Sequence, residues 1–518
     1  MSCLTCSNCG FVNFLPPEPQ PQILKTIQSS DGLVSHFLRG SRPLLDSVMK
    51  DEIAKLVQLR SLYDAQLQEI QLRQYPVLKA LENRRSIYAP IRSLPRDILI
   101  EIFHLVCHSW LQEQEPKRGY CLELKNHSLN MLGPLWDLGR VCGLWRNTLH
   151  TSPASWAQDI LVKAPFSKHA REIWQTYVNR TGEHPFSIHI IYESDRSTRD
   201  NEIISLLVQS CSSWKSLRLE TLTSRMHHLE SIVSRLPVLQ TIEICAIEDD
   251  FSDHRFDMFL NSPQLWKAIL PTLGIHQVKL PPGITHFSGR VTCSEDLRLL
   301  SQLPKLRTCC LLWVVFPKEA PVVIAQARHL HVDSYFALDF LTAPMLESLA
   351  IMPINDFSQR WLLASDCITR FLRQSGCRLE SLSMSMEMLS SEPSASVHSI
   401  FSSEACLTIS YLKLEFSSEW YGAAEALAPS SILPNLRHLV LCIEAQHLRR
   451  TKAERFALFD MIRSRRDAGL KTIEVQFEDR GWGSGDAELE ADIRDLIGDN
   501  LEMRVGKWGR LVDMFPCC

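Results

Sequence analysis

Residues 433–441 read LPNLRHLVL, and variants of that stretch recur along most of the chain. LPKLRTCCL stands at 303–311, ARHLHVD at 327–333 and APMLESLAI at 343–351. CRLESLSMS follows at 377–385, ISYLKLEF at 409–416 and GLKTIEVQF at 469–477. Upstream, PFSIHII (185–191), WKSLRLE (214–220), LPVLQTIEI (236–244) and GIHQVKL (274–280) carry the same pattern. The shared core is Leu-x-x-Leu-x-Leu, with apolar residues at alternate positions, which predicts strands with one buried face.

Aligned on the first residue of the final apolar pair, the units fall at 188, 217, 242, 278, 309, 330, 349, 382, 412, 439 and 473. Successive anchors lie about 19 to 36 residues apart, within and beyond the leucine-rich-repeat range. Between them lie helical stretches such as NEIISLLVQSCSS (201–213), MHHLESIVSRL (226–236) and ERFALFDMIRSRR (454–466). One strand and one helix cannot bury their own apolar faces, but stacked copies can. A strand-helix-strand order further predicts parallel pairing. The spacing is irregular and the asparagine common in tight leucine-rich units is mostly missing, so a non-repetitive α/β domain is the competing reading. The fold class expected is α/β: an N-terminal helical segment and an all-α region, then an irregular leucine-rich-repeat solenoid over 161–515.

Composition agrees with stacked packing faces. Leucine accounts for 73 of 518 residues and glycine for only 20. The net charge is −4, from 55 basic and 59 acidic residues. Such a balance excludes a wholly disordered or supercharged chain and argues against a nucleic-acid partner. The longest apolar run, CCLLWVVF at 309–316, is far short of the ~20 residues a membrane helix needs. The first residues lack a basic and an apolar signal region, so the expectation is a cytoplasmic or nuclear protein with no membrane partner. The 17 cysteines read as reduced, buried small side chains. Cys3, Cys6 and Cys9 have the C-x2-C step of a zinc knuckle but no fourth ligand nearby, and the terminal Cys517-Cys518 lacks the context of a lipid anchor.

Residues 1–43 hold five prolines from Pro16 to Pro43 and read as a flexible leader. Over 44–90 a long helix is expected. Met49, Ile53, Leu56, Tyr63, Leu67, Ile70, Val77 and Leu81 follow a heptad seam, interrupted by Arg60 and Gln74. Pro76 should kink or split that helix. The seam suits either self-association through 44–82 or docking on the protein's own surface.

The densest local signal lies in 91–160. IRSLPRDILIEIFHLVC places Leu94, Ile98, Leu99, Ile102, Phe103 and Val106 on one helical face, with Pro95 where a first turn tolerates it. Asp97 and Glu101 sit early, where the helix dipole favours acids. A polar stretch over 108–133 reads as an inserted loop. PLWDLGRVCGLWRNTLHTSPASW then steps through Leu138, Val141, Cys142, Trp145 and Leu149 as a second helical face, ended by Pro153.

In order and spacing these two halves resemble an F-box. Leu94, Pro95, Asp97, Ile98, Leu99, Ile102 and Phe103 match the first half; Val141, Cys142, Trp145 and Arg146 match the second, and Trp156 stands where the closing tryptophan falls. The insertion and Ser155, where the family has leucine, are departures. The preceding ALENRRSIYAPIRSLP is similar to what leads into the motif in many fungal F-box proteins.

The resemblance implies that Leu94, Pro95, Ile98, Leu99, Ile102, Phe103, Leu138, Val141, Cys142, Trp145, Leu149 and Trp156 serve a Skp-family adaptor, and through it a cullin–RING ubiquitin ligase. The repeats would then hold a protein substrate, and the chain would be non-catalytic, without cofactor or metal. Two alternatives remain at this stage: a scaffold without a ubiquitin-transfer role, and an enzyme with an unrecognised site on the solenoid.

Searching for chemistry yields little. Nucleotide, metalloprotease and nucleophile-elbow motifs are missing. Gly481-Trp482-Gly483-Ser484-Gly485 reads as a turn, Glu248-Asp249-Asp250 with Asp253 and His254 as a solvated loop, and His227-His228 as ordinary helix residues. Trp266, Trp313 and Trp361 read as packing positions that would become partner contacts if exposed.

Overall fold

The computed structural model describes residues 3–5, 12–14, 25, 28, 35, 45–114, 129, 131, 133–192, 198–232, 235–247, 255–312, 321–352, 364–386, 393–416, 421–443, 452–478 and 502–508. The chain divides into two units, 1–95 and 96–518.

In the first unit, Cys3–Thr5 pairs antiparallel with Val12–Phe14, so the expected leader contains a short hairpin. Leu45–Ile87 is one helix of 43 residues. It is not broken at Pro76. A proline there removes only the bond to the Leu72 carbonyl, and the turns on either side remain closed. Ile53, Leu67, Ile70 and Val77 on the heptad seam are all more than half exposed.

The second unit begins with four helices: Arg96–Gln114, Pro134–Val141, Gly143–His150 and Pro153–Trp156. Two expectations are corrected here. Residues 108–114, expected in the inserted loop, continue the first helix. The second apolar face is two helices, because Cys142 is extended (φ −161°, ψ 170°) and starts a new helix at Gly143. The Cys142 carbonyl accepts the Arg146 N–H, as a residue preceding a helix does.

The rest is α/β, built on a 14-stranded sheet that is parallel throughout and runs in chain order from Asp159–Lys163 to Glu502–Trp508. Two short strands, Val322–Val323 and Leu341–Thr342, pair with each other outside it. The core is a column of facing residues. Ile160, Ile188, Leu217, Ile242, Ala268, Phe287 and Cys309 are successive partners, followed by Leu330, Leu349, Leu382, Leu412, Leu439, Ile473 and Met503. From Ile160 to Ile473 none is more than 2% exposed. Each large aliphatic member contributes ~1.5–3 kcal/mol by burial. Parallel neighbours in chain order have to be joined by crossover connections, several of which carry helices.

Ten of the eleven sequence anchors are members of this column. The exception is Val278, which makes only an isolated bridge with Phe256. The single strand expected at 274–280 is replaced by two, Lys267–Gly274 and His286–Arg290. Ala268 and Phe287 take the leucine positions there, so the Leu-x-Leu signature is absent although the register holds. No helix among the described residues is long and apolar enough to cross a membrane.

Candidate functional site

The twelve residues of the proposed adaptor surface divide by depth. Leu99, Phe103, Leu138, Leu149 and Trp156 are buried. They fill the interior of the helical cluster and hold it together. Ile98 is 44% and Val141 59% exposed. Ile102, Cys142 and Trp145 are half-buried. In the first unit, Leu94 is half-buried and Pro95 exposed, at the last two positions before the helix.

This division follows from the width of the apolar arc on Arg96–Gln114. Leu99, Phe103 and Cys107 (i, i+4, i+8) form an inner stripe, all buried. Ile98, Ile102 and Leu105 (i, i+4, i+7) form an outer stripe beside it. Leu105 is 65% and Val106 43% exposed. A helix that only served its own cluster would need the inner stripe alone. Leu105 and, on the second half, Leu144 (41% exposed) were not singled out from sequence. The i+7 step from Ile98 was the available signal for Leu105.

Polar contacts fix the cluster. Arg96 donates to the Thr151 carbonyl. Trp156 Nε1 donates to the Leu149 carbonyl at 3.0 Å. Ser155 is fully buried. Its hydroxyl lies 3.1 Å from His104 Nε2 and 2.9 Å from the Ser152 hydroxyl. A leucine would lack both bonds. Burial pushes the Cys107 thiol up to about 12, so it is a packing residue rather than a nucleophile.

Aromatic contacts join the cluster to the sheet unit. The Trp136, Trp156 and Tyr177 rings meet edge to face, with centroids 5.3–6.1 Å apart. The Arg180 guanidinium stands over Trp156 at 4.3 Å and Trp136 at 5.2 Å. Burial lowers the pKa of His150, and the nearby Arg180 and Arg146 charges lower it further.

On the strands Phe186–Tyr192, Trp214–Leu222 and Thr241–Ile247, positions alternating with the apolar column carry polar side chains. His189, Arg218 and Glu243 are successive partners there. Glu220 accepts from His189 at 2.8 Å and lies 3.3 Å from Arg218, which also reaches Glu243 at 3.4 Å. Trp266 is 38% exposed and meets His286 edge to face. His227 and His228 lie in a 3-10 segment, Thr223–Ile232. Cys6, Cys9, Trp313, Trp361, the acidic run at 248–254, Gly481–Gly485 and Cys517-Cys518 fall outside the described residues.

The arrangement offers surfaces: an apolar stripe on the helices and a polar, partly ion-paired face on a long sheet. No family model matches the chain, and no curated protein matches it significantly.

Proposed function

We propose that the chain is a non-catalytic substrate receptor of a Skp–cullin–F-box ubiquitin ligase. Helices from 94 onward would bind a Skp-type adaptor, and the sheet region would act as a leucine-rich-repeat array holding a protein substrate. The observation that carries this reading is the outer stripe. A segment whose sequence resembles an F-box keeps Ile98, Leu105 and Val106 exposed. Exposed apolar stripes of this kind mark partner sites. The register of the leucine column supports the repeat reading. Rate enhancement would come from holding substrate lysines near the charged ubiquitin carrier, which is catalysis by proximity.

The test is co-purification of a Skp-type adaptor with the full chain. Wild type should bring it down, and Ile98→Glu with Val141→Glu should not, while both unfold at the same temperature. A Leu94→Ala/Pro95→Ala variant should also lose it. Equal recovery with all three proteins sinks the reading. Accumulation of a bound protein on deletion of 94–156 distinguishes a ligase receptor from a plain scaffold. The exposed seam of Leu45–Ile87 supports self-association, and a light-scattering mass unchanged on removing 44–82 would refute it.

A further inference from the structure

We propose that His276, Cys293 and Asp296 bind one zinc ion, which clamps two neighbouring units of the sheet region together. The three side chains converge from two segments. His276 lies in the turn Ile275–Gln277 that ends one strand, Cys293 immediately precedes the helix Ser294–Ser301, and Asp296 is in that helix's first turn. His276 Nδ1 is 2.7 Å from Asp296 Oδ1. Cys293 Sγ is 3.5 Å from His276 Nδ1 and 3.7 Å from Asp296 Oδ2.

One ligand atom from each residue lies within 4.8 Å of the other two. Zinc bonds of about 2.1 Å to nitrogen or oxygen and about 2.3 Å to sulfur give tetrahedral edges of roughly 3.4–3.6 Å. The Sγ–Nδ1 edge already has that length. The carboxylate meets His276 through Oδ1 and Cys293 through Oδ2, so it has to turn and draw back by about a few tenths of an ångström for one oxygen to complete the set. One imidazole, one thiolate and one carboxylate is a donor set that suits zinc.

Helix capping alone does not account for the cluster. Asp296 has no exposed surface. Its carboxylate accepts the N–H of Thr292 at 2.7 Å and of Cys293 at 3.1 Å, which is ordinary capping. It also accepts the Thr292 hydroxyl and, from the preceding unit, the His276 N–H at 2.9 Å. These bonds orient the carboxylate from outside, as partners of a metal ligand do. Gly274 closes the other side. A Cβ there would fall 2.6 Å from His276 Nδ1 and 2.8 Å from both Asp296 oxygens, so only glycine leaves the imidazole and carboxylate room.

Charge and protons balance. Zinc(II) with one thiolate and one carboxylate is neutral, as a buried site requires. On binding, the Cys293 thiol proton goes to solvent. His276 binds the metal through Nδ1 as the neutral imidazole, with its proton on Nε2, on a side chain that is 26% exposed. Water can take the fourth position.

The test uses the full chain, stripped with a chelator and titrated with zinc against a chromophoric competitor. Wild type should bind one equivalent that Cys293→Ser and His276→Gln lack, each weakening it by more than the roughly 100-fold that loss of an outer partner costs. Cobalt(II) should give a thiolate charge-transfer band in wild type and none in Cys293→Ser. Replacing Cys3, Cys6 and Cys9 together with serine should leave this equivalent in place. The side-chain amide introduced by His276→Gln can still donate to Asp296, so this variant without metal should unfold at the wild-type temperature, and zinc should raise the midpoint of wild type alone. Variants that bind zinc like wild type, a wild type that binds none, or an equivalent that disappears only with Cys3, Cys6 and Cys9 would each overturn the proposal.

Discussion

Phe103 and Trp145 stack at 5.0 Å between ring centroids, tilted by 57°, and the contact crosses from the interior of the helical cluster to its surface. Phe103 has no exposed surface, whereas Trp145 is half-buried. Conserving stability and conserving a partner surface are therefore different demands on neighbouring residues. Phe103→Ala should cost ~3–5 kcal/mol and Leu99→Ala ~2–5 kcal/mol, because each leaves a cavity. Ile98→Ala and Val141→Ala should stay within about 0.5 kcal/mol, being exposed. Denaturant midpoints of the four variants check this ordering.

Ser155 should resist replacement by leucine. The site is closed, and the hydroxyl joins His104 to Ser152. Ser155→Leu adds volume to a filled interior and removes both bonds, so a loss of ~1–3 kcal/mol is expected. Ser155→Ala keeps the volume nearly constant and isolates the loss of the bonds, expected at about 1 kcal/mol. A Ser155→Leu protein more stable than wild type would mean that the interior has unfilled room.

The leucine signature reports burial on one face of a strand, so it found strands whose column residue is Leu, Ile or, at Cys309, a small apolar residue preceded by Leu-x-x-Leu. It missed Ala268 and Phe287, whose register is set by backbone pairing with neighbouring strands. Asp159–Lys163 and Glu502–Trp508 escaped for a related reason, since an alternating run of five to seven residues does not stand out without a leucine triplet. The candidate adaptor residues were legible as a group, but their depth was not. Helical periodicity places Ile98 beside Leu99, and only the packing of the other helices decides which of them is covered. The His276–Cys293–Asp296 cluster spans 20 residues and two units, with no spacing rule to bring it to notice.

Acid should weaken the sheet region through His331. Burial pushes its pKa down to about 4, and Nδ1 lies 3.5 Å from the Cys310 thiol. In the unfolded chain an imidazole titrates near 6.5. Between about pH 6.5 and 4 the unfolded state takes up a proton that the folded state refuses, so stability falls as pH falls through that window and levels off below it. The whole effect is up to about 3 kcal/mol. Thermal midpoints of wild type and His331→Phe across pH 7 to 4 test this. The variant should lose less stability on acidification, and parallel curves would rule His331 out.

Arg465 should be indispensable to the last strands although its charge is buried. It is 2% exposed, and burial lowers its pKa to about 10, so it stays a cation at neutral pH. It donates to the carbonyls of Leu427, Ile432 and Leu433 from the helix Lys452–Asp467. Leu433 opens the LPNLRHLVL stretch with φ 50°, a left-handed backbone that costs a leucine energy. The guanidinium bonds fix that turn, and through it the entry of His438–Ile443 into the sheet. Arg465→Met keeps much of the volume but removes the guanidinium bonds to the Leu427 and Ile432 carbonyls, each unsatisfied buried group costing ~1–3 kcal/mol, while the Leu433 carbonyl keeps the Leu436 N–H. Arg465→Lys keeps the charge but cannot span the same carbonyls with a compact ammonium, so it should recover only part of the loss. Denaturant unfolding, with hydrogen exchange of the 438–443 amides, measures both. If Arg465→Met matched wild type within about 0.5 kcal/mol, the cost of burying the charge would equal everything its bonds contribute.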